Sequence, residues 1–401
     1  MTELPRDIIC FSLSRWDQAI SSPAWSIAKE LSKNHRVFFI DHPYTLKDVV
    51  REFTSLQVQR RRKSWFGNSS VYNKPIAGNE NLFVVVPPVV LPVNFLPNNF
   101  LYQIFSKVND SLMNRLLSQI IRDHQVRNYI FINFFDPFYL RNIHVDLKPT
   151  IYMYQSMDDI SEVRYTARHG VRLEEELIKR ADLTICTSKK LFDMHQSKGN
   201  VALLQNGVDL ELFQTAFRKE HQIPADIKHL RGPIIIFTGS IDYRMDFELV
   251  QRTARAHANK TFLFVGPVNT TEHEQFFKQD ANIVFVGAKN IDQLPAYLQH
   301  CDCAIIPYKK NKLTAAIYPL KINEYLASGI PVVTTDFSED VVSFEPLVYL
   351  AGNSSSFVAL IEDAVNDKDD AARKRRMEYA MQNSWEQRVD ALEKMMLMVA
   401  Q

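Results

Sequence analysis

IIIFTGS, residues 234–240, is an apolar run of strand length that ends in a Gly-Ser turn. Three isoleucines and a phenylalanine suit a strand buried on both faces of a parallel sheet. The pattern recurs downstream: Phe262–Val265 runs into Gly266 and Pro267, Ile283–Val286 into Gly287, and Ala304–Ile306 into Pro307 and Tyr308. Longer amphipathic stretches separate these runs, which is the signature of a parallel sheet wrapped by helices. Ligands of such sheets bind outside the carboxyl ends of the strands, so the four turns define one wall of an expected cleft.

The same alternation precedes this stretch. Ile8–Leu13 reads as a strand, the loop SRWDQAISS follows, and Ser22 with Pro23 opens a helix with Ala24, Ile27, Ala28 and Leu31 on its apolar face. Val37–Ile40 is a second strand, ending in Asp41, His42 and Pro43. Residues 47–80 are polar, basic and weakly periodic, which predicts an insertion or mobile loop. Leu82–Val86 is strand-like, and the four prolines of PPVVLPVNFLPNNF predict an extended apolar connection. A long helix from about Asn99 to His124 leads to strands at Tyr129–Asn133, Ile151–Tyr154, Leu183–Thr187 and Ala202–Leu204. A polar linker between 221 and 232 separates the two α/β halves.

Composition narrows the function. At roughly 100–200 residues per domain, 401 residues predict two or three domains. Lys plus Arg number 47 against 46 Asp plus Glu, so no global field draws the chain to nucleic acid, and no nucleic-acid partner is expected. Neither GxGxxG nor GxxxxGK[ST] occurs, which demotes nicotinamide-dependent oxidoreduction and P-loop phosphoryl transfer. Cys10, Cys186, Cys301 and Cys303 lie in apolar runs without metal-ligand spacing and read as small buried hydrophobes. The start MTELPRD lacks the pattern of a signal peptide, and no run approaches the ~20 apolar residues of a spanning helix. The expected location is cytoplasmic, at most on the inner face of the membrane.

The chemistry concentrates in YPLKINEYLASGIPVV, residues 318–333. A helix that follows a strand-end loop points its free N–H groups and positive dipole end at the ligand side, which suits a diphosphate. Lys321 in the first turn opposes that dipole unless an anion is present, and Glu324 lies one turn further on the same face, where a carboxylate accepts from ribose hydroxyls. Taken alone, the two residues read more readily as a solvated surface pair at i, i+3, and it is the surrounding sequence that reverses this.

Around them, residues 232–335 resemble the donor domain of GT-B fold glycosyltransferases, particularly glycosyltransferase family 4. The shared elements are FTGSIDYRMD, FVGP, NIVFVGAKNIDQLPAYLQHCDCAIIPY and PLKINEYLASGIPVV, with RADLTICTSKKL (180–191) and NGVD (206–209) in the first half. The resemblance implies two Rossmann-like domains facing across an interdomain cleft: an acceptor domain over 1–212, a donor domain over 213–384, and a helix over 385–401 returning to the first domain. It implies a sugar transfer from a UDP- or GDP-sugar to a polysaccharide or lipid-linked saccharide in cell-surface glycan biosynthesis. Gly239, Ser240 and Gly287 would offer backbone to phosphate or base, Arg244 and Lys321 would neutralise the diphosphate without a metal, Leu320 would flank the base, and Glu324 would hold the ribose. Tyr308 would stack on the base, although a tyrosine at a strand end reads equally as a half-buried ring at the sheet edge. No cofactor is implied beyond the nucleotide-sugar substrate.

Two departures stand out. Where that family commonly has a glutamate eight residues before the helix glutamate, this chain has Ala316, and the Arg and Lys that often follow the first glycine are replaced by Ser240 and, further on, Arg244. These features are similar to those of the xanthan glucuronosyltransferase, another GT-B enzyme. Its catalytic aspartate matches Asp158 in the Tyr154-x-x-x-Asp158 context, with Asp159 as neighbour. Asp158 as general base implies inversion, whereas family 4 implies retention; an aspartate at this place also simply caps a turn. On the acceptor side, Arg15, Trp16, Asp17 and His42 lie at the ends of the first two strands. The run Arg60, Arg61, Arg62, Lys63 beside Trp65 and Phe66 suits contact with anionic lipid headgroups. Rival expectations are a GT-B nucleotide-sugar epimerase or hydrolase and a catalytically degenerate binding subunit, the latter suggested by Ala316.

Overall fold

The computed structural model describes residues 4–18, 22–67, 69–98, 100–162 and 166–400. The chain forms two compact α/β units: Met1–Thr187, Leu191–Leu204 and Val389–Gln401 make the first, and Ser188–Lys190 with Gln205–Arg388 make the second.

In the first unit the described strands are β1 (Asp7–Ser12), β2 (Arg36–Ile40), β3 (Tyr72–Asn73), β4 (Leu82–Val85), β5 (Tyr129–Phe134), β6 (Ile151–Ser156), β7 (Leu183–Cys186) and β8 (Val201–Leu203). They form one sheet in the order β3-β4-β2-β1-β5-β6-β7-β8. All pairings are parallel except the short β3–β4 pair at the edge. The strand order reverses direction between β1 and β5, with Ile8 paired to Val37 on one side and to Ile130 on the other.

Helix α1 (Pro23–Leu31) starts as its sequence dictates: Ser22 Oγ accepts from Trp25 N at 3.2 Å, Pro23 occupies the first turn, and the predicted apolar face is buried. Residues 47–80 are not a mobile loop. They contain α2 (Leu46–Arg51), closed by a Thr45–Asp48 capping box, and α3 (Leu56–Trp65), capped by Ser55. The hydrophobic period fails there because the buried positions of α3 are Val58 and a cation, Arg61. Helix α4 (Phe100–Asp123) follows the proline-rich connection, its expected start at Asn99 lying outside the described residues, and α5 (Ala167–Arg180) precedes β7.

Arg61 is 2% exposed and clamped between two carboxylates. Its Nη1 and Nη2 donate to Asp17 at 3.0 and 2.7 Å, its Nε donates to Asp41 at 2.8 Å, and Nη2 makes a further short contact with Asp41. Burial raises the Asp41 carboxyl above its ordinary range despite Arg61, whereas for Asp17 the hydrogen bonds and charge of Arg61 outweigh burial and lower it.

The second unit holds β9 (Ile234–Thr238), β10 (Thr261–Val265), β11 (Ile283–Phe285), β12 (Cys303–Ile306), β13 (Val332–Thr335) and β14 (Tyr349–Ala351), all parallel, in the order β11-β10-β9-β12-β13-β14. The order reverses between β9 and β12. This unit begins at Gln205 rather than 213, because Asp209 caps helix Leu210–Arg218 and that helix buries Phe213 in the second core. Residues 206–209 are therefore part of this unit: Val208 bridges to Ser384, and Asn323 Nδ2 donates to Asn206 O at 3.2 Å. The last helix, Trp385–Val399, contributes residues from Val389 onward to the first unit, where Glu393 meets His35 Nε2 at 3.1 Å.

Removing one partner of a buried ion pair strands the other charges. Arg61→Met should therefore cost about 3–5 kcal/mol in a urea denaturation series at neutral pH. A loss under about 1 kcal/mol, the range of an exposed pair, would show that this triad does not hold the α3 segment.

Candidate functional site

At the carboxyl edge of the second sheet, β9 ends in Thr238 and turns at Gly239, whose φ of +116° suits glycine. Lys321 packs against this turn: its Cε and Nζ lie 3.1 Å from where a Cβ of residue 239 would be. Helix Leu320–Ala327 starts after Pro319 with no side chain capping its first turn. Lys321 Nζ donates to Tyr308 Oη at 3.0 Å and stands 5.2 Å from the Phe237 ring and 5.4 Å from the Tyr308 ring. Tyr325 ties the helix to the strand, its hydroxyl accepting from Thr238 N at 2.8 Å. Sequence reasoning passed over Tyr325, although its position on the inner face of YPLKINEYLA was a signal.

Glu324 keeps some solvent exposure, but surrounding protein pushes its carboxyl up to about 7, with Lys321 acting in the opposite direction. A carboxyl tuned into this range both donates and accepts near neutrality. Leu320 and Ser240 are half-buried, and Gly287 turns at φ +70° with open space on its Cβ side.

Two expectations for this unit need correction. Tyr308 is 2% exposed, packed against Phe237 and Phe337 at 6.3 and 5.2 Å, so its ring is not an open platform for a base. Its place is to hold the Lys321 ammonium. Arg244 is not a cation without a counter-charge: Nε and Nη2 grip Asp242, with Nη2–Oδ2 at 2.5 Å. Lys321 is left as the dominant positive group of the turn. Ala316 is fully buried after the short helix Lys312–Ala315.

In the first unit, the carboxyl ends of β1, β2 and β5 gather the expected acceptor-side residues. Arg15 Nε donates to His42 O at 3.3 Å and its guanidinium stacks 3.6 Å from the Tyr44 ring, while Trp16 N donates to Asp41 Oδ1 at 3.2 Å. Asp17 is committed to Arg61 and Arg60 and serves as a structural counter-ion. His42 Nε2 lies 3.3 Å from Oδ2 of Asp136, a fully buried residue that sequence reasoning did not single out. Arg61, expected on a basic surface, is the buried member of the triad above, so the run divides into one internal and three exposed cations, Arg60, Arg62 and Lys63. Trp65 is half-buried and donates from Nε1 to Pro87 O at 2.9 Å, whereas Phe66 is 74% exposed.

Asp158 follows β6 and is half-buried; Asp159 is 3% exposed and accepts from Ser161 N and Oγ at 3.0 and 2.6 Å, the turn-capping alternative. The end of β6 is fixed from below by Glu174 of α5, which accepts from Tyr154 Oη at 2.9 Å and Ser156 Oγ at 3.0 Å. Burial pushes Glu174 up to about 7 and the neighbouring His195 down to about 4. Among the described residues no group of three His, Cys, Asp or Glu is arranged to hold a metal ion.

Residues 232–367 match the family described as Glycosyl transferases group 1. TuaH of Bacillus subtilis (strain 168), assigned to teichuronic acid biosynthesis as a glycosyltransferase, is 28% identical over 223 residues, which span 53% of this chain and 56% of that protein. The match thus extends over little more than half of the curated relative. Sucrose-phosphate synthase from Thermosynechococcus elongatus superposes with a TM-score of 0.67 at 15% identity, covering 98% of this chain and 99% of that one. HepE from Anabaena, solved in complex with UDP and glucose, gives 0.61 at 14% identity over 97% and 98% of the two chains. The α,α-trehalose 6-phosphate synthase from Burkholderia multivorans gives 0.64 at 11% identity over the full length of both. The chain has the two-domain GT-B fold of these structures, and the segment that matches the group 1 family lies within its second unit.

Glu174 generates a pH prediction. Its folded pKa is raised from 4.5 to about 7, so the stability associated with its neutral form is complete below 4.5 and is lost as pH rises through 7. Glu174→Gln keeps an acceptor for Tyr154 and Ser156 but does not ionise. Its stability relative to the parent should improve between pH 5 and 8, by on the order of 3 kcal/mol at most. Parallel denaturation curves at the two pH values test this, and a pH-independent difference would show that Glu174 does not titrate in that window.

Proposed function

We propose that the protein is a glycosyltransferase that moves a sugar from a nucleoside diphosphate sugar to a saccharide acceptor in cell-surface glycan synthesis. The observation that carries this reading is Lys321, held by Tyr308 at the uncapped first turn of helix Leu320–Ala327 and against the Gly239 turn. Free N–H groups, a positive helix end and an ammonium together favour a diphosphate leaving group. The family match over 232–367 and the relationship to TuaH support transfer and the glycan context. HepE, solved with UDP and glucose, makes a uridine nucleotide the first donor to test.

In this scheme the developing charge on the diphosphate is met by Lys321 and the helix end, with no metal required. Glu324, Gly239, Ser240, Gly287 and Leu320 contribute to holding the nucleotide. Asp158 takes the proton of the attacking acceptor hydroxyl, while Asp159 keeps the turn in shape through Ser161. The acceptor is received by the first unit near Arg15, Trp16 and His42. Arg60, Arg62, Lys63 and Phe66 provide a basic and apolar exposed surface for contact with the inner face of the membrane.

Calorimetric titration with UDP, GDP, ADP and TDP, with and without magnesium, tests the donor assignment. Micromolar, metal-independent binding of one nucleotide is expected, with Lys321→Ala weakening it roughly tenfold or more. No binding by any of them would favour a degenerate binding subunit over an enzyme. Asp158→Asn should abolish transfer while nucleotide affinity is retained; an active Asp158→Asn enzyme would remove Asp158 from the mechanism. Product formation from donor without acceptor would favour an epimerase or hydrolase instead.

A further inference from the structure

The first unit contains a groove of 520 Å³ whose interior none of the roles above uses, although Arg62 and Phe66 of its lining belong to the surface assigned above to membrane contact. Its size lies within the roughly 300–1,000 Å³ typical of small-molecule sites. Side chains of α2, α3, the segment after β4 and the middle of α4 line it, among them Val49, Phe53, Trp65, Pro88, Leu112 and Leu116. The lining is mainly hydrocarbon, yet Phe53 and Phe66 remain 57% and 74% exposed. Exposed apolar surface on this scale marks a site for an apolar partner.

Two features indicate what that partner is. Arg62 and Arg115 both line the groove and are solvent-exposed, so an apolar trough carries cationic groups at its lip. That pairing is complementary to an amphiphile with a hydrocarbon chain and an anionic head. The apolar lining also continues along one face of α4: Leu101, Ile104, Phe105 and Val108 are 49%, 40%, 38% and 41% exposed and lead at helical spacing to Leu112 and Leu116. At about 1.5 Å per residue the 24-residue helix is roughly 36 Å long, so this strip extends well beyond the groove. No helix among the described residues is long and apolar enough to cross a membrane, so the strip is suited to lie along a surface.

The inner wall of the groove points back to the chemistry. The Trp65 ring packs edge-on against Tyr44 at 5.7 Å, and Tyr44 carries the Arg15 guanidinium at 3.6 Å. Those residues belong to the carboxyl edge where the acceptor is expected. We propose that the groove holds the hydrocarbon chain of a phosphate-linked lipid carrier whose saccharide is the acceptor, Arg62 and Arg115 meeting its phosphate. This assignment rests on the glycosyltransferase reading for the identity of the cargo, but not for binding itself.

Dodecyl phosphate, used below its micelle concentration with the full-length protein, is a suitable probe. Saturable binding should change the intrinsic tryptophan fluorescence, and the change should disappear in Trp65→Phe. The double variant Arg62→Glu, Arg115→Glu, altered only at exposed positions, should retain its circular dichroism spectrum and bind at least tenfold more weakly. Leu112→Glu, which places a carboxylate in the groove, should weaken binding similarly. Equal affinity for neutral dodecyl maltoside would overturn the proposal, as would absence of saturable binding. Competition by inorganic phosphate at the same affinity would also overturn it, because the chain would then contribute nothing. The experiment contains no donor, so a failure of nucleotide binding leaves its result standing, whereas lost alkyl phosphate binding with intact nucleotide binding sinks the groove assignment alone.

Discussion

Successive strands of a parallel sheet must be joined by crossovers, so every strand delivers its carboxyl end to the same edge. Both units of this protein depend on that constraint. In the first it gathers Arg15, His42 and Asp136 around the point between β1 and β5 where the strand order reverses. In the second it gathers Gly239, Tyr308 and Lys321 around the corresponding point between β9 and β12. Such reversals open a crevice between the diverging crossovers, which is why the polar residues collect there and the strand interiors stay apolar.

Buried charge performs different tasks in the two places. Arg61 is spent internally, between Asp17 and Asp41, and thereby fixes a segment that has little hydrophobic periodicity of its own. Glu174 lies under the end of β6 and is held near neutrality by burial, so it clamps Tyr154 and Ser156 at little electrostatic cost below pH 7. Lys321 has a phenol as partner instead of a clamping carboxylate. A phenol orients an ammonium without cancelling its charge, which leaves the field of that lysine available to a ligand.

The strands were legible because runs such as IIIFT and YIFIN are apolar throughout and end at clear turns. The Lys321 helix was legible for a related reason, a glycine stop and a proline start around an amphipathic octet. Residues 47–80 were not, since α3 buries an arginine at a position where periodicity looks for an aliphatic residue. Tyr308 and Arg244 could be placed at a strand end by sequence, but burial of the Tyr308 ring against Phe237 and Phe337 is a long-range fact that no local pattern encodes, whereas the pairing of Arg244 with Asp242, two residues away, was a local signal that went unread. Asp136 escaped notice because it sits in FFDPF, an apolar stretch where a single acid resembles a turn.

The sheets end in very short strands. β3 has two residues and β8, β11 and β14 have three each. Each outer edge therefore presents only a few open backbone donors and acceptors, too few to template the pairing of another chain. The longer strands, whose hydrophobic sequences would aggregate readily, are flanked on both sides. The exposed apolar strip of α4 lies on a helix and not on a strand edge, so association of copies through it would be relieved by detergent instead of by changes in the strands.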